Sequence, residues 1–128
     1  MTEPTTTIGI LDDEPQMRVA VTRLLKSHGL AVVSFATAEE LLAAVCSRTP
    51  WIDCLVLDLH MPGLTGFDVL AALAAIKSPL PVIVFTGHDE AGTAARVATL
   101  GAVDYFQKPV DETTLLSAIA RATTWTAA

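Results

Sequence analysis

Short apolar runs rich in β-branched residues alternate with stretches of helical period along the whole chain, and nothing else in the sequence narrows the fold so far. The runs are Thr7–Leu11, Ala31–Phe35, Cys54–Leu57, Val82–Phe85 and Val103–Phe106. The first helical stretch places Met17, Ala20, Val21, Leu24 and Leu25 on one inward face and stops at His28-Gly29, with Gly29 just past its end. The second opens on Thr37 and Glu40 at the capping-box interval and turns Leu41, Leu42 and Val45 inward. Gly66–Ile76 returns to helical period, and Ala91–Leu100, rich in Ala with few large apolar residues, predicts the weakest helix. Asp111 begins the last, with Leu115, Ala118, Ile119 and Ala122 inward. Cys54–Leu57 and Val82–Phe85 are continuously apolar, as strands covered on both faces must be. Parallel strands need right-handed crossovers and helices on both faces. Five such units predict an α/β fold with an open, doubly wound, five-stranded parallel sheet in order 2-1-3-4-5, the middle of three layers. With 128 residues, 52% of them hydrophobic, the whole chain 1–128 reads as one domain with its own core.

Charge removes several functions. Eight Lys and Arg against 14 Asp and Glu leave a net charge of −6, and the basic residues are scattered singly, so no stripe could follow a nucleic-acid backbone. The segment Met1–Thr7 lacks the features of a signal peptide, and the longest apolar run, Val69–Ile76, falls far short of the ~18 residues of a membrane span. A soluble, cytoplasmic protein with no membrane partner is expected. Cys46 and Cys54 have neither CxxC spacing nor a well-placed His, and both are expected to be buried free thiols. Phe35, Phe67 and Phe85 are expected in the core.

In a doubly wound sheet, function gathers at the carboxyl ends of the strands. Those ends carry Asp12-Asp13, Asp58, Thr86-Gly87 and Lys108-Pro109. Strands one and three are neighbours in the expected order, so carboxylates from distant parts of the chain converge. At ~4 Å and an effective dielectric of ~20, each like-charge pair costs about 4 kcal/mol on an illustrative scale, which calls for a cation or a bound proton. An oxygen-only donor set suits Mg2+ better than zinc or calcium. Lys108 can pair with a carboxylate or a phosphoryl oxygen, Thr86 offers a hydroxyl, and Gly87 leaves room for a tetrahedral group. The set reads as phosphoryl transfer to an aspartate.

Through Asp12-Asp13, the run Asp58-Leu59-His60-Met61-Pro62-Gly63-Leu64-Thr65-Gly66, Thr86-Gly87 and Tyr105-Phe106-Gln107-Lys108-Pro109, the sequence resembles the receiver domain of two-component response regulators. It looks most like receivers of LuxR- or FixJ-type transcriptional regulators. The resemblance spans almost the whole chain and implies a flavodoxin-like sandwich with five helices. It implies that Asp58 is the phosphoacceptor, and that Asp12 and Asp13 organise Mg2+ together with Asp58 and the backbone carbonyl of His60. Thr86 and Lys108 would contact the phosphoryl group, Tyr105 would be the switch aromatic, and Lys108-Pro109 would be cis. The implied function is a switch that catalyses its own phosphorylation from a sensor histidine kinase or an acyl phosphate. It would signal to an output domain or a second copy through the fourth helix, fifth strand and fifth helix, or else serve as a stand-alone relay or phosphate sink. His60 and His88 would tune the lifetime of the modification.

Taken singly, each of these motifs has a plainer reading. Asp12-Asp13-Glu14-Pro15 suits any helix start, Asp58 a strand-end turn, and Lys108-Pro109 a solvated loop. Their joint occurrence, each at the proper strand end, outweighs those readings. His28, ahead of Gly29, suits a helix C-terminus and nothing more. A haloacid-dehalogenase-type phosphatase would need a second Asp where His60 stands, and a flavodoxin electron carrier would need a Thr-, Ser- and Gly-rich loop where Asp12-Asp13-Glu14 stands.

Overall fold

Strands and helices alternate as β1 (Thr7–Leu11), α1 (Pro15–Ser27), β2 (Ala31–Phe35), α2 (Ala38–Ser47), β3 (Cys54–Asp58), α3 (Gly66–Ala75), β4 (Val82–Thr86), α4 (Thr93–Thr99), β5 (Asp104–Gln107) and α5 (Glu112–Ala122) in the computed structural model. The structure describes residues 5–88, 90–109 and 111–126, and the other positions of the chain, expected to belong to one domain over 1–128, lie outside the described residues. All strands pair in parallel, in the order β2-β1-β3-β4-β5. The expected topology is the observed one.

Alternation along each strand divides the core in two. Leu11, Leu55, Leu57 and Val84 face one layer with Leu41, Val69, Leu70 and Val97, while Ile8, Ile10, Val56, Ile83 and Phe85 face the other with Leu25, Leu115 and Ile119. β3 and β4 are buried at every position, as their unbroken apolar runs require. Gly29 has φ +83°, the left-handed backbone that ends α1. Thr37 accepts the Glu40 N–H, but the reciprocal capping box forms at Thr65 and Asp68, where α3 begins.

Several sequence expectations are corrected. α4 is shorter than Ala91–Leu100, because Gly92 adopts φ +85° as its N-cap and blocks any extension toward Ala91. On α1 only Leu25 is buried, while Ala20 is exposed. Val21 and Leu24 pack against the core as expected, and with Met17 they line a partly open cavity of about 190 Å³ walled on the sheet side by Ile10, Val56 and Phe85. Cys54 is buried, and burial pushes its thiol up to about 12, but Cys46 lies on the exposed side of α2. Phe67 is only half-buried, since its ring packs under the Arg96 guanidinium of α4 at 3.8 Å. Among the described residues no helix is long and apolar enough to cross a membrane.

Candidate functional site

Asp12, Asp58 and Lys108 leave their strands in phase with Ile10, Val56 and Phe106, so their side chains gather on the α1–α5 side of the carboxyl edge. Asp12 and Asp58 are buried, at 4% and 5% exposure, while Asp13 faces solvent. Lys108 Nζ donates to Asp12 Oδ2 at 2.9 Å and lies 3.8 Å from Asp58 Oδ2 and 3.7 Å from Glu14 Oε1. One ammonium therefore faces three carboxylates.

Local backbone geometry fixes the acids. Asp12 Oδ1 accepts the Glu14 N–H at 2.9 Å, and the Arg18 guanidinium donates to the Asp12 carbonyl at 2.6 Å. Asp58 Oδ1 accepts the His60 N–H at 3.3 Å. Lys108-Pro109 is cis, and the Lys108 N–H donates to the Thr86 carbonyl at 2.7 Å. Gly66 closes the loop after β3 by donating its N–H to the Leu59 carbonyl at 3.0 Å. A Cβ there would lie 2.6 Å from the Asp58 carbonyl oxygen and 2.7 Å from Leu59 Cα, so only glycine lets α3 start this close to Asp58.

The electrostatics follow from burial and crowding. Burial pushes the Asp58 carboxyl up to about 6; Lys108 and the His60 N–H pull it down, and Asp12 and Asp13 push it further up. Burial works against the Lys108 ammonium, yet its bond to Asp12 and the charges of Asp58, Asp12 and Glu14 outweigh that and raise its pKa. Lysine thus keeps its proton beside an aspartate that resists ionising. Carboxylate oxygens of Asp12, Asp13 and Asp58 come within 4.8 Å of one another, an all-oxygen set that fits a hard divalent cation such as Mg2+.

Thr86 and Tyr105 stand apart from this cluster. Thr86 is fully buried in phase with Val82 and Val84, and its hydroxyl donates to the His88 carbonyl at 3.0 Å and accepts the His88 N–H at 3.1 Å. Tyr105 pairs with Val84 and Thr86 with Gln107, so Tyr105 is the diagonal neighbour of Thr86 on the same sheet face, half-buried against that core. His60 and His88 are exposed, with ring centres 5.8 Å apart. His28 sits elsewhere, capping α1, with Nε2 2.6 Å from Glu112.

A family model for the response regulator receiver domain matches residues 8–120. The chain belongs to that family. As a receiver it is 38% identical over 114 residues to nodulation protein W of Bradyrhizobium diazoefficiens, covering 89% of this chain and 49% of that protein. It is 37% identical over 119 residues to the response regulator protein TodT of Pseudomonas putida, covering 93% of this chain and 52% of that one. The crystal structure of FixJ-N superposes with a TM-score of 0.84 at 34% identity, over 98% of this chain and 99% of that one. The receiver spans about half the length of the curated relatives it matches.

Sequence reasoning left roles for Glu14, Arg18 and Gly66 unassigned. Glu14 is two residues from Asp12 and Arg18 one helical turn beyond, a spacing that could have suggested both contacts. The Gly66 contact depends on how the loop from Leu59 folds back, which no local pattern encodes.

Proposed function

We propose that this receiver is a phosphorylation-activated switch in which Asp58 accepts a phosphoryl group from a phosphohistidine of a sensor histidine kinase, or from a small acyl phosphate, in the cytoplasm. The observation that carries the reading is the buried Asp58 at the end of β3 with the protonated Lys108 Nζ 3.8 Å away, itself anchored to Asp12. An Asp58 carboxylate oxygen forms the new P–O bond. The P–N bond of the donor breaks, its electron pair stays on the imidazole nitrogen, and that nitrogen ends protonated when it next meets water. With an acyl phosphate the P–O bond to the acyl group breaks and a carboxylate leaves. Lys108 offsets charge on the phosphoryl oxygens as they approach, and burial of the site strengthens that attraction. Asp12, Asp13, Asp58 and the His60 carbonyl would hold Mg2+, which supplies further positive charge against the same oxygens. The receiver thus catalyses its own modification, and His60 and His88 tune how quickly water removes it.

Signalling would follow from Thr86. To reach a phosphoryl oxygen its hydroxyl must give up the His88 carbonyl, which draws the start of the β4–α4 loop inward and frees space beside Val84 that Tyr105 can fill. The surface of α4, β5 and α5 then changes shape for an output domain or a second copy. Incubation with an acyl phosphate and Mg2+ should add one phosphoryl group by intact-mass spectrometry, and Asp58→Asn should abolish it. Equal labelling of wild type and variant would overturn the assignment.

A further inference from the structure

Two of the chain's three histidines face each other at the mouth of the site, from different loops. His60 follows β3 by two residues and His88 follows β4 by two, and the adjacent pairing of β3 and β4 brings both loops together. Their rings meet edge to face, at 86° between planes, and both are exposed. We propose that His60 and His88 form a second cation site, for a borderline-soft divalent transition-metal ion such as Zn2+, separate in chemistry from the carboxylate cluster below it.

The spacing supports this. With Zn–N bonds of about 2.0–2.1 Å, the centre of a ligating imidazole lies about 3.2 Å from the ion, so two such rings have centres about 5.2 Å apart at the tetrahedral angle. The observed 5.8 Å is about 0.6 Å wider, so ring rotation and a small approach of the two loops bring both nitrogens onto one ion. Imidazole nitrogen prefers Zn2+ over Mg2+, whereas the all-oxygen Asp12, Asp13 and Asp58 set prefers the hard ion, so the two cations sort by ligand type. Exposure leaves the remaining coordination positions to water.

Such an ion would tie together the loops that phosphorylation must move. The His60 N–H is bonded to Asp58 and the His88 backbone holds the Thr86 hydroxyl at both ends, so a bridge between the rings restrains acceptor and switch residue at once. This consequence, unlike the site itself, rests on the phosphotransfer reading. Zn2+ should therefore slow phosphorylation by an acyl phosphate in wild type.

Calorimetric titration of Zn2+ into the full chain near neutral pH, with Mg2+ in excess, tests the site directly. One Zn2+ should bind per chain, His60→Ala and His88→Ala should each weaken it by roughly tenfold or more, and His28→Ala should leave it unchanged. Both site histidines are exposed, so neither variant threatens the fold, and circular dichroism confirms that. Unaltered Zn2+ affinity in His60→Ala and His88→Ala, or loss of binding in Asp13→Asn alone, would overturn the proposal. Phosphorylation of wild type without Zn2+ keeps the two readings distinct. If wild type labels at Asp58 yet binds no Zn2+, the phosphotransfer reading stands and the metal site fails.

Discussion

Burial holds the Asp58 carboxyl at about 6 in the metal-free protein, above the value of about 3.9 expected in an unfolded chain. Between those values the folded state keeps a proton that the unfolded state releases, so stability should rise as pH falls from about 7 toward about 4. Above its folded pKa, ionised Asp58 costs the fold about 3 kcal/mol on an order-of-magnitude scale. Asp58→Asn should therefore raise the urea midpoint at neutral pH and lose that advantage near pH 4, which separates this residue from the net charge of −6. Equal gains at both pH values would mean that burial of the charge is not the cause. Mg2+ should stabilise wild type at neutral pH far more than Asp58→Asn. Gly66 makes a steric demand in place of a charge. Gly66→Ala forces a Cβ into the Asp58 carbonyl and should destabilise by about 1–3 kcal/mol in urea melts, with slower phosphoryl labelling. Asp58 was legible in the sequence because a carboxylate at a strand end, with Asp12-Asp13 and Lys108 at others, has few other uses. Gly66 was not, because the atoms it must avoid, on Asp58 and Leu59, are distant in sequence and arrive only when the loop closes.

Among the helices, α4 is the shortest. It spans seven residues, buries Thr93 and Val97, and adds the Arg96 guanidinium stacked on Phe67 of α3. Such a cation–π contact at an exposed site contributes about 0.5–1 kcal/mol, so Arg96→Ala should speed amide exchange across Thr93–Thr99 by roughly two- to fivefold. Global melting should barely change, because exchange there reports local opening. Thr86→Ala should still be labelled at Asp58, but the change in α4 exchange that labelling produces in wild type should be lost. A full α4 response in that variant would remove Thr86 from the switch. The Ala-rich composition of α4 already marked it as weak. Its contact with Phe67 was hidden, since an aromatic at the start of an apolar helical stretch reads as core. β3 and β4 were the most legible elements because burial on both faces confines their polar residues to the last position, Asp58 and Thr86. The amphipathic stripe of α1 was legible too, but a stripe gives direction and not distance, and it could not show the cavity that Met17, Val21 and Leu24 line.

At the scale of the whole molecule, one sheet separates two cores, and the layer around Ile10, Val56 and Phe85 contains the cavity of about 190 Å³ under α1. Topology was readable because alternating strands and helices admit few arrangements, and packing was not, because it depends on how close two surfaces come. The cavity reaches Asp12, Asp58 and Lys108, so a partly empty region of the molecule adjoins the site. Hydrostatic pressure would find that weakness. Unfolding floods the empty space with water and shrinks the total volume, so compression favours the unfolded chain in proportion to the void removed. Val21→Leu adds one methylene on the wall of the void and should raise the pressure at which half the molecules unfold, followed through the half-buried Trp125. An unchanged midpoint pressure would mean that water already fills the space. Because the cavity adjoins Asp58, squeezing should disturb Asp58 before it disturbs the core around Leu41, Leu57 and Val69.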